Sequence, residues 1–129
     1  MSLVRTIGAL VAGAITWEAV VALATLLGRL VWPAYSAVEE QRIFTMDMLL
    51  SRLAVGALAT LAFGFVVSWV TKGEAKSMRL VIFAWLLFSV ADHIIVWQQF
   101  PVWYHLFYLA YIIPLALLGG RIKRRVTGQ

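Results

Sequence analysis

The chain contains no cysteine, which excludes disulfides, thiolate metal sites and thiol nucleophiles. Charge is scarce as well. Asp, Glu, Lys and Arg make up 13% of 129 residues, where a soluble domain carries about 25%. Too little polar side chain is left to cover a water-facing surface, so a soluble enzyme, a disordered tail and a disulfide-stapled secreted module are all excluded. Proline occurs at three positions and histidine at two. No nucleophile–base pair, phosphate loop or metalloprotease spacing is present, so nothing argues for a catalysed reaction and no cofactor is named.

What fills the chain is apolar: 63% of its residues are hydrophobic. A helix crossing a hydrocarbon layer roughly 30 Å thick needs about 20 mostly apolar residues. Four segments meet that requirement, over residues 6–32, 48–71, 80–98 and 102–119. Backbone groups in lipid must hydrogen-bond within their own segment, and the alternation of barrel strands is absent, so the spans are read as helices. The first is too long for a removable signal peptide and lacks a small-residue cleavage pattern. The expectation is an all-α, single-domain integral membrane four-helix bundle, up-down-up-down.

The net charge is +5, and its distribution decides its meaning. Arg5, Lys72, Lys76, Arg79, Arg121, Lys123, Arg124 and Arg125 fall at the amino terminus, the second loop or the carboxyl tail. Glu39, Glu40, Arg42 and Asp47 fall in the first loop. The positive-inside rule therefore places both termini in the cytoplasm of a cell membrane, read as a bacterial inner membrane. The basic tail at 120–129 lies directly after a span, where such runs orient the protein and touch anionic lipid. Nucleic acid is not an expected partner.

The loops carry boundary chemistry. Ser36-Ala37-Val38-Glu39 has capping-box spacing, so a short interfacial helix is expected within the outer loop 33–47. Thr45 and Asp47 suit the start of the second span, Gly73 its end, and Ser77 or a neighbour the start of the third. Pro101 suits the first turn of the fourth helix and makes the last two spans an antiparallel hairpin. Trp32, Tyr35, Trp97, Trp103 and Tyr104 form an outer aromatic belt. Gly56, Thr60, Gly64 and Ser68 recur every four residues, a small-residue row suited to helix contact within the bundle or between protomers. Ala9, Gly13 and Trp17 make a shorter row, and Pro114 deprives the Ala110 carbonyl of its usual donor.

Ionisable residues inside spans are costly and are usually paired, cavity-facing or functional. Here they are Glu18 and Arg29 on the first span, Arg52 on the second and Asp92 on the third. Glu18 and Arg29 lie nearly on one face, with Ala14, Ala22 and Thr25. His93 and His105 are about equally distant from the Phe100-Pro101 turn, so a hairpin brings them to one depth. Tyr104, Tyr108 and Tyr111 form a stripe beside His105. Three readings of the cluster stand. In the first, the charges are interhelical ion pairs and the histidines satisfied donors. In the second, Glu18, Arg29, Arg52, Asp92, His93, His105 and Tyr108 line an outward-opening site that binds or passes a small molecule or ion, with Glu18 exchanging protons. In the third, Asp92, His93 and His105 hold a metal.

The chain length, the four spans and the mid-span Glu18 resemble the small multidrug resistance transporters. That resemblance implies for Glu18 the role of the acidic residue exchanging protons for cationic drug. It covers the span count and that one residue. Asp92, His93, the acidic outer loop and the strong charge asymmetry depart from the pattern. The expected function is binding or transport of a small molecule or ion, with a homodimer enclosing the pathway. The alternative is a non-catalytic accessory subunit of a membrane complex, docked through the Gly56/Thr60/Gly64/Ser68 face.

Overall fold

The computed structural model describes residues 2–41 and 43–128; Arg42, placed in the first loop above, lies outside them. The described chain is all-helical: α1 (Leu3–Val31), α2 (Pro33–Val38), α3 (Met46–Thr71), α4 (Ala75–Ile95), a 3-10 turn at Trp97–Gln99, and α5 (Val102–Thr127). Four helices, α1, α3, α4 and α5, are long and apolar enough to cross a membrane. Their outward surfaces are apolar too: Leu23 is 62% exposed, Phe83 58% and Phe107 61%. Contiguous apolar surface of this extent suits a hydrocarbon surrounding rather than water.

Several boundaries differ from the sequence expectations, each for a local reason. The helix between α1 and α3 begins at Pro33 rather than at Ser36. Proline's fixed φ and missing N–H suit a first helical position, and this outweighs the weaker capping-box signal. Helix α4 begins at Ala75, ahead of residue 80, because Lys76 and Arg79 end the apolar stretch without ending the helix. Its first turn is braced by the Ser77 hydroxyl, which donates to the Glu74 carboxylate at 2.9 Å. That bond holds the Glu74 carboxyl below the usual carboxylate range. At its other end α4 stops at Ile95, three residues before 98, and the 3-10 turn reverses the chain. Pro101 precedes the first turn of α5 as its N-cap, with an extended ψ of 152°, rather than sitting within it.

The largest correction concerns the tail. Helix α5 does not stop at residue 119 but runs on to Thr127, so the basic residues 121–125 occupy its final turns. Gly119 does not break the helix, because its missing side chain serves packing. A Cβ there would overlap the backbone carbonyl of Leu61 on α3. The end of α3 behaves as expected of a glycine cap. Lys72 and Gly73 both take left-handed conformations, and the Gly73 N–H donates to the Ser68 carbonyl at 2.9 Å.

Helix α3 is the centre of the bundle, with α5 and α1 as its principal neighbours and α4 touching all three more sparsely. Lipid offers no hydrophobic drive between helices, so close packing and polar contact hold such a bundle together. The row on α3 works in this way. A Cβ on Gly64 would strike the Ala116 backbone, and one on Gly56 would meet the Tyr108 ring at 2.7 Å. Thr60 returns its hydroxyl to the Gly56 carbonyl at 2.7 Å. Ser68 is fully buried at the end of the row, beside Gly120. The row is consumed by α5 of the same chain, which corrects the reading of it as a face for a partner subunit. Gly13 plays the matching part on α1, where a Cβ would meet Phe63 and Val67 of α3.

Candidate functional site

At the end of the bundle where α1 gives way to α2 and α4 turns into α5, aromatic rings form a connected series. Tyr35 stacks on Phe44 (centroids 5.5 Å), Phe44 on Phe100 (5.9 Å) and Phe100 on Tyr104 (4.6 Å). Tyr104 leads to Tyr108 (6.2 Å), and Tyr108 to Tyr111 (5.1 Å). Each ring comes from a segment with its own reason to be there. Tyr35 rides on the helix opened by Pro33. Phe44 lies just before Thr45, whose hydroxyl donates to the Asp47 carboxylate at the start of α3. Phe100 is fixed between the 3-10 turn and Pro101. Tyr104, Tyr108 and Tyr111 follow helical spacing on α5.

Arg52 of α3 points into this series. Its guanidinium carbon lies 4.9 Å from the Phe44 ring centroid and 5.2 Å from that of Phe100. Both are within cation–π range. Nη1 donates to the Tyr35 hydroxyl at 2.8 Å, while Nε is buried and has no acceptor. Among the described residues no carboxylate pairs with Arg52; the ion pair present joins Arg29 to Glu39 at 3.4 Å. An arginine keeps its proton under all ordinary conditions, so this one is a permanent cation whose direct contacts are aromatic rings and tyrosine hydroxyls.

Two cavities flank it and share Trp17, Arg52, Tyr104 and Tyr108 as a common wall. The first, of about 240 Å³, lies between α1, α3 and α5, and is closed on the α1 side by Val21, Ala24, Thr25 and Gly28. The second, of about 280 Å³, is bordered by Ser89, Asp92, His93 and Phe100. The Trp17 indole N–H is buried without an acceptor. Its ring packs on Trp85 at 5.6 Å, and Trp85 in turn stacks on Phe63 at 4.8 Å.

The histidines meet directly, His93 Nδ1 to His105 Nδ1 at 2.6 Å. His105 Nε2 lies 3.0 Å from the Trp97 carbonyl oxygen. A carbonyl only accepts, so Nε2 carries the His105 proton and Nδ1 presents a lone pair. By this hydrogen-bond network His93 Nδ1–H is the donor between the rings. Trp97 stacks on His105 at 4.4 Å and holds its plane. The metal reading does not fit this geometry. Two nitrogens at about 2.0–2.1 Å from one tetrahedral zinc stand about 3.3 Å apart, farther than this pair. Among the described residues no three His, Asp or Glu side chains gather as a ligand set, so Asp92 does not complete one with the histidines.

The predicted site residues thus separate. Arg52, His93, His105 and Tyr108 come together, and Asp92, itself exposed, borders the second cavity. Glu18 is exposed on α1 and lines neither cavity. Arg29 is exposed and holds Glu39 at the surface, an interaction worth about 0–1 kcal/mol. The interhelical ion pairs expected among Glu18, Asp92, Arg29 and Arg52 are not formed. The face of α1 that lines the first cavity is Trp17, Val21, Ala24, Thr25 and Gly28; of the residues assigned to the Glu18 face it includes only Thr25. Gly56, Thr60, Gly64 and Ser68 serve packing, although Gly56 also borders the first cavity. Phe44 and Phe100 were not singled out as site residues. The available signal was their place immediately before the Thr45 cap and before Pro101, two points where the chain is pinned.

No protein-family model, curated protein or solved structure matches this chain.

Proposed function

We propose that the chain is a four-span protein of a bacterial inner membrane, up-down-up-down with both termini in the cytoplasm, that binds or carries a small molecule in the cavity beside Arg52. The topology draws on charge and contact together. The Thr6 and Ser77 hydroxyls lie 3.4 Å apart, and Arg5, Lys72 and Lys123 border one cavity. The amino terminus, the α3–α4 turn and the end of α5 therefore share one strongly basic end, and basic ends face the cytoplasm. The Arg52 cavity then belongs to the outer half.

One observation carries the ligand-binding reading: a permanent, half-buried cation that is the one charged side chain in the lining of the first cavity. Such groups inside membrane helices are paired, cavity-facing or functional, and among the described residues no carboxylate forms an ion pair with Arg52. The experiment compares the purified protein with Gly28→Leu by native mass spectrometry. Gly28 lines the cavity and nothing lies within 4 Å of a Cβ built there, so a leucine adds bulk at the lining without striking its neighbours at the first atom. A bound small-molecule mass on the wild type that is lost in the variant is expected. Identical spectra from both count against the reading.

A second reading is favoured by Glu18, an exposed mid-span carboxyl with no hydrogen-bond or ion-pair partner among the described residues. In this reading α1 packs against another subunit, either a second copy or a partner in a membrane complex. A Leu23→Cys variant should then cross-link in native membranes to a product of defined mass; its remaining monomeric under oxidising conditions would remove this reading.

A further inference from the structure

The cavity between α1, α3 and α5 contains a single formal charge. Its lining includes the Arg52 guanidinium and no acidic side chain, and its remaining walls are aromatic, hydroxyl-bearing or small and apolar. A guanidinium presents five N–H donors in a planar fork that matches an oxyanion. Here Nη1 donates to the Tyr35 hydroxyl, the Tyr104 hydroxyl is a second partner of the side chain, and Nε–H has no acceptor. The Phe44 and Phe100 faces offer quadrupoles, not a countercharge. The Trp17 indole N–H, in the same wall, is a second buried donor without an acceptor. The guanidinium has more donors than the two tyrosine hydroxyls accept, and as the one charged group in this lining it suits an acceptor with negative charge. Away from Arg52, Val21, Ala24 and Val55 make an apolar flank.

We infer that this cavity takes a monoanionic amphiphile, with a carboxylate or phosphodiester head at Arg52 and an apolar chain along Val21, Ala24 and Val55. The inference rests on the ligand-binding reading above and names the class of ligand. One cation neutralises one negative charge, whereas a dianion would leave an uncompensated charge in the same low-dielectric wall. A cationic amphiphile would meet a like charge. A neutral one would bring Arg52 no countercharge. The volume of about 240 Å³ is below the roughly 300–1,000 Å³ of sites for drug-sized ligands. It suits a short amphiphile, or the head and upper chain of a membrane lipid whose remaining length lies outside. Both sources present the same chemistry.

The experiment titrates decanoate, decanol and decyltrimethylammonium into the full-length protein in a neutral detergent, by calorimetry, with phosphatidylglycerol as competitor. Decanoate should bind roughly ten- to a hundredfold tighter than decanol, the range expected for hydrogen bonds to a charged group. Arg52→Gln should bring decanoate to the level of decanol. Gly28→Leu, which leaves Arg52 in place, should abolish binding while circular dichroism stays that of the wild type; it keeps the test decisive if the Arg52 variant fails to fold. Competition by phosphatidylglycerol supports the inference with a bilayer lipid as ligand. Tight decanoate binding without competition supports it with a soluble amphiphile. Decanol or the ammonium probe binding as tightly as decanoate, and blocked by Gly28→Leu, overturns the anionic class and leaves the cavity as a ligand site. Failure of every probe to bind, or binding indifferent to Gly28→Leu, overturns both.

Discussion

At the scale of single residues, one spacing in the sequence placed its groups well and another did not. His93 and His105 stand at matched distances from a tight turn, and matched distances in a hairpin become direct contact. The chain His93 to His105 to the Trp97 carbonyl leaves each internal donor and acceptor satisfied. This makes His105 costly to remove. His105→Leu orphans the Trp97 carbonyl and the His93 Nδ1–H together, and an orphaned buried polar group costs about 1–3 kcal/mol. Thermal unfolding in detergent should show that loss. Adding His93→Leu should cost much less than a second independent loss, because the two residues share one network. Full additivity would show that the pair is not coupled. Glu18 and Arg29 illustrate the opposite outcome: three helical turns return them to one face, but that face is not the one turned towards α3.

At the scale of elements, glycine has two opposed meanings in this chain. On Gly64 a methyl group would occupy the place of the Ala116 carbonyl, whereas at Gly8 nothing lies within 4 Å. Gly64→Ala must therefore push α5 away from α3 and should destabilise by about 1–3 kcal/mol, the usual cost of overpacking. Gly8→Ala should be neutral or stabilise by up to about 1 kcal/mol, since alanine is the better helix former. Melting temperatures of the two variants, measured side by side in one detergent, check the contrast, and equal behaviour would refute the close α3–α5 crossing. The same crossing explains why α5 continues past Gly119. That glycine is a contact point rather than a stop, so reading it as a helix end shortened the fourth span and turned a helical segment into a tail.

At the scale of the whole molecule, the absence of cysteine becomes an experimental advantage. Any thiol introduced is the only one, so its labelling reports one position. Under the proposed orientation, Ile43→Cys and Gln99→Cys should react with an impermeant maleimide added to intact cells, whereas Ser2→Cys and Thr127→Cys should react only after permeabilisation. The reverse pattern would invert the protein and move the Arg52 cavity to the cytoplasmic half. The apolar outward surfaces of α1, α4 and α5 and the aromatic collar at the other end agree with a bilayer around the bundle. Arg52, His93, His105 and Tyr108 gather towards the interior at that collar, whereas Glu18, Arg29 and Asp92 stay exposed.

Composition and periodicity by themselves determined the helical class, the number of long apolar helices and the basic character of one end. These follow from side-chain chemistry that acts locally or through the solvent: apolar runs long enough to cross, charges excluded from them, and turns punctuated by Pro33, Gly73 and Pro101. The α3 row was legible as a packing surface because small residues at every fourth position leave a groove whatever the fold. Its partner was not legible, since α5 and a second subunit would demand the same groove. Only the tertiary structure decided which in-span charges face inward. A rotation of about 100° per residue separates Trp17, in the cavity wall, from Glu18, on the outer surface, and that rotation is set by how Gly13 seats α1 on Phe63 and Val67. The same packing gave Arg52 two aromatic faces, a tyrosine hydroxyl and no carboxylate. Those contacts come from four separated segments, so no local pattern in the sequence could announce them.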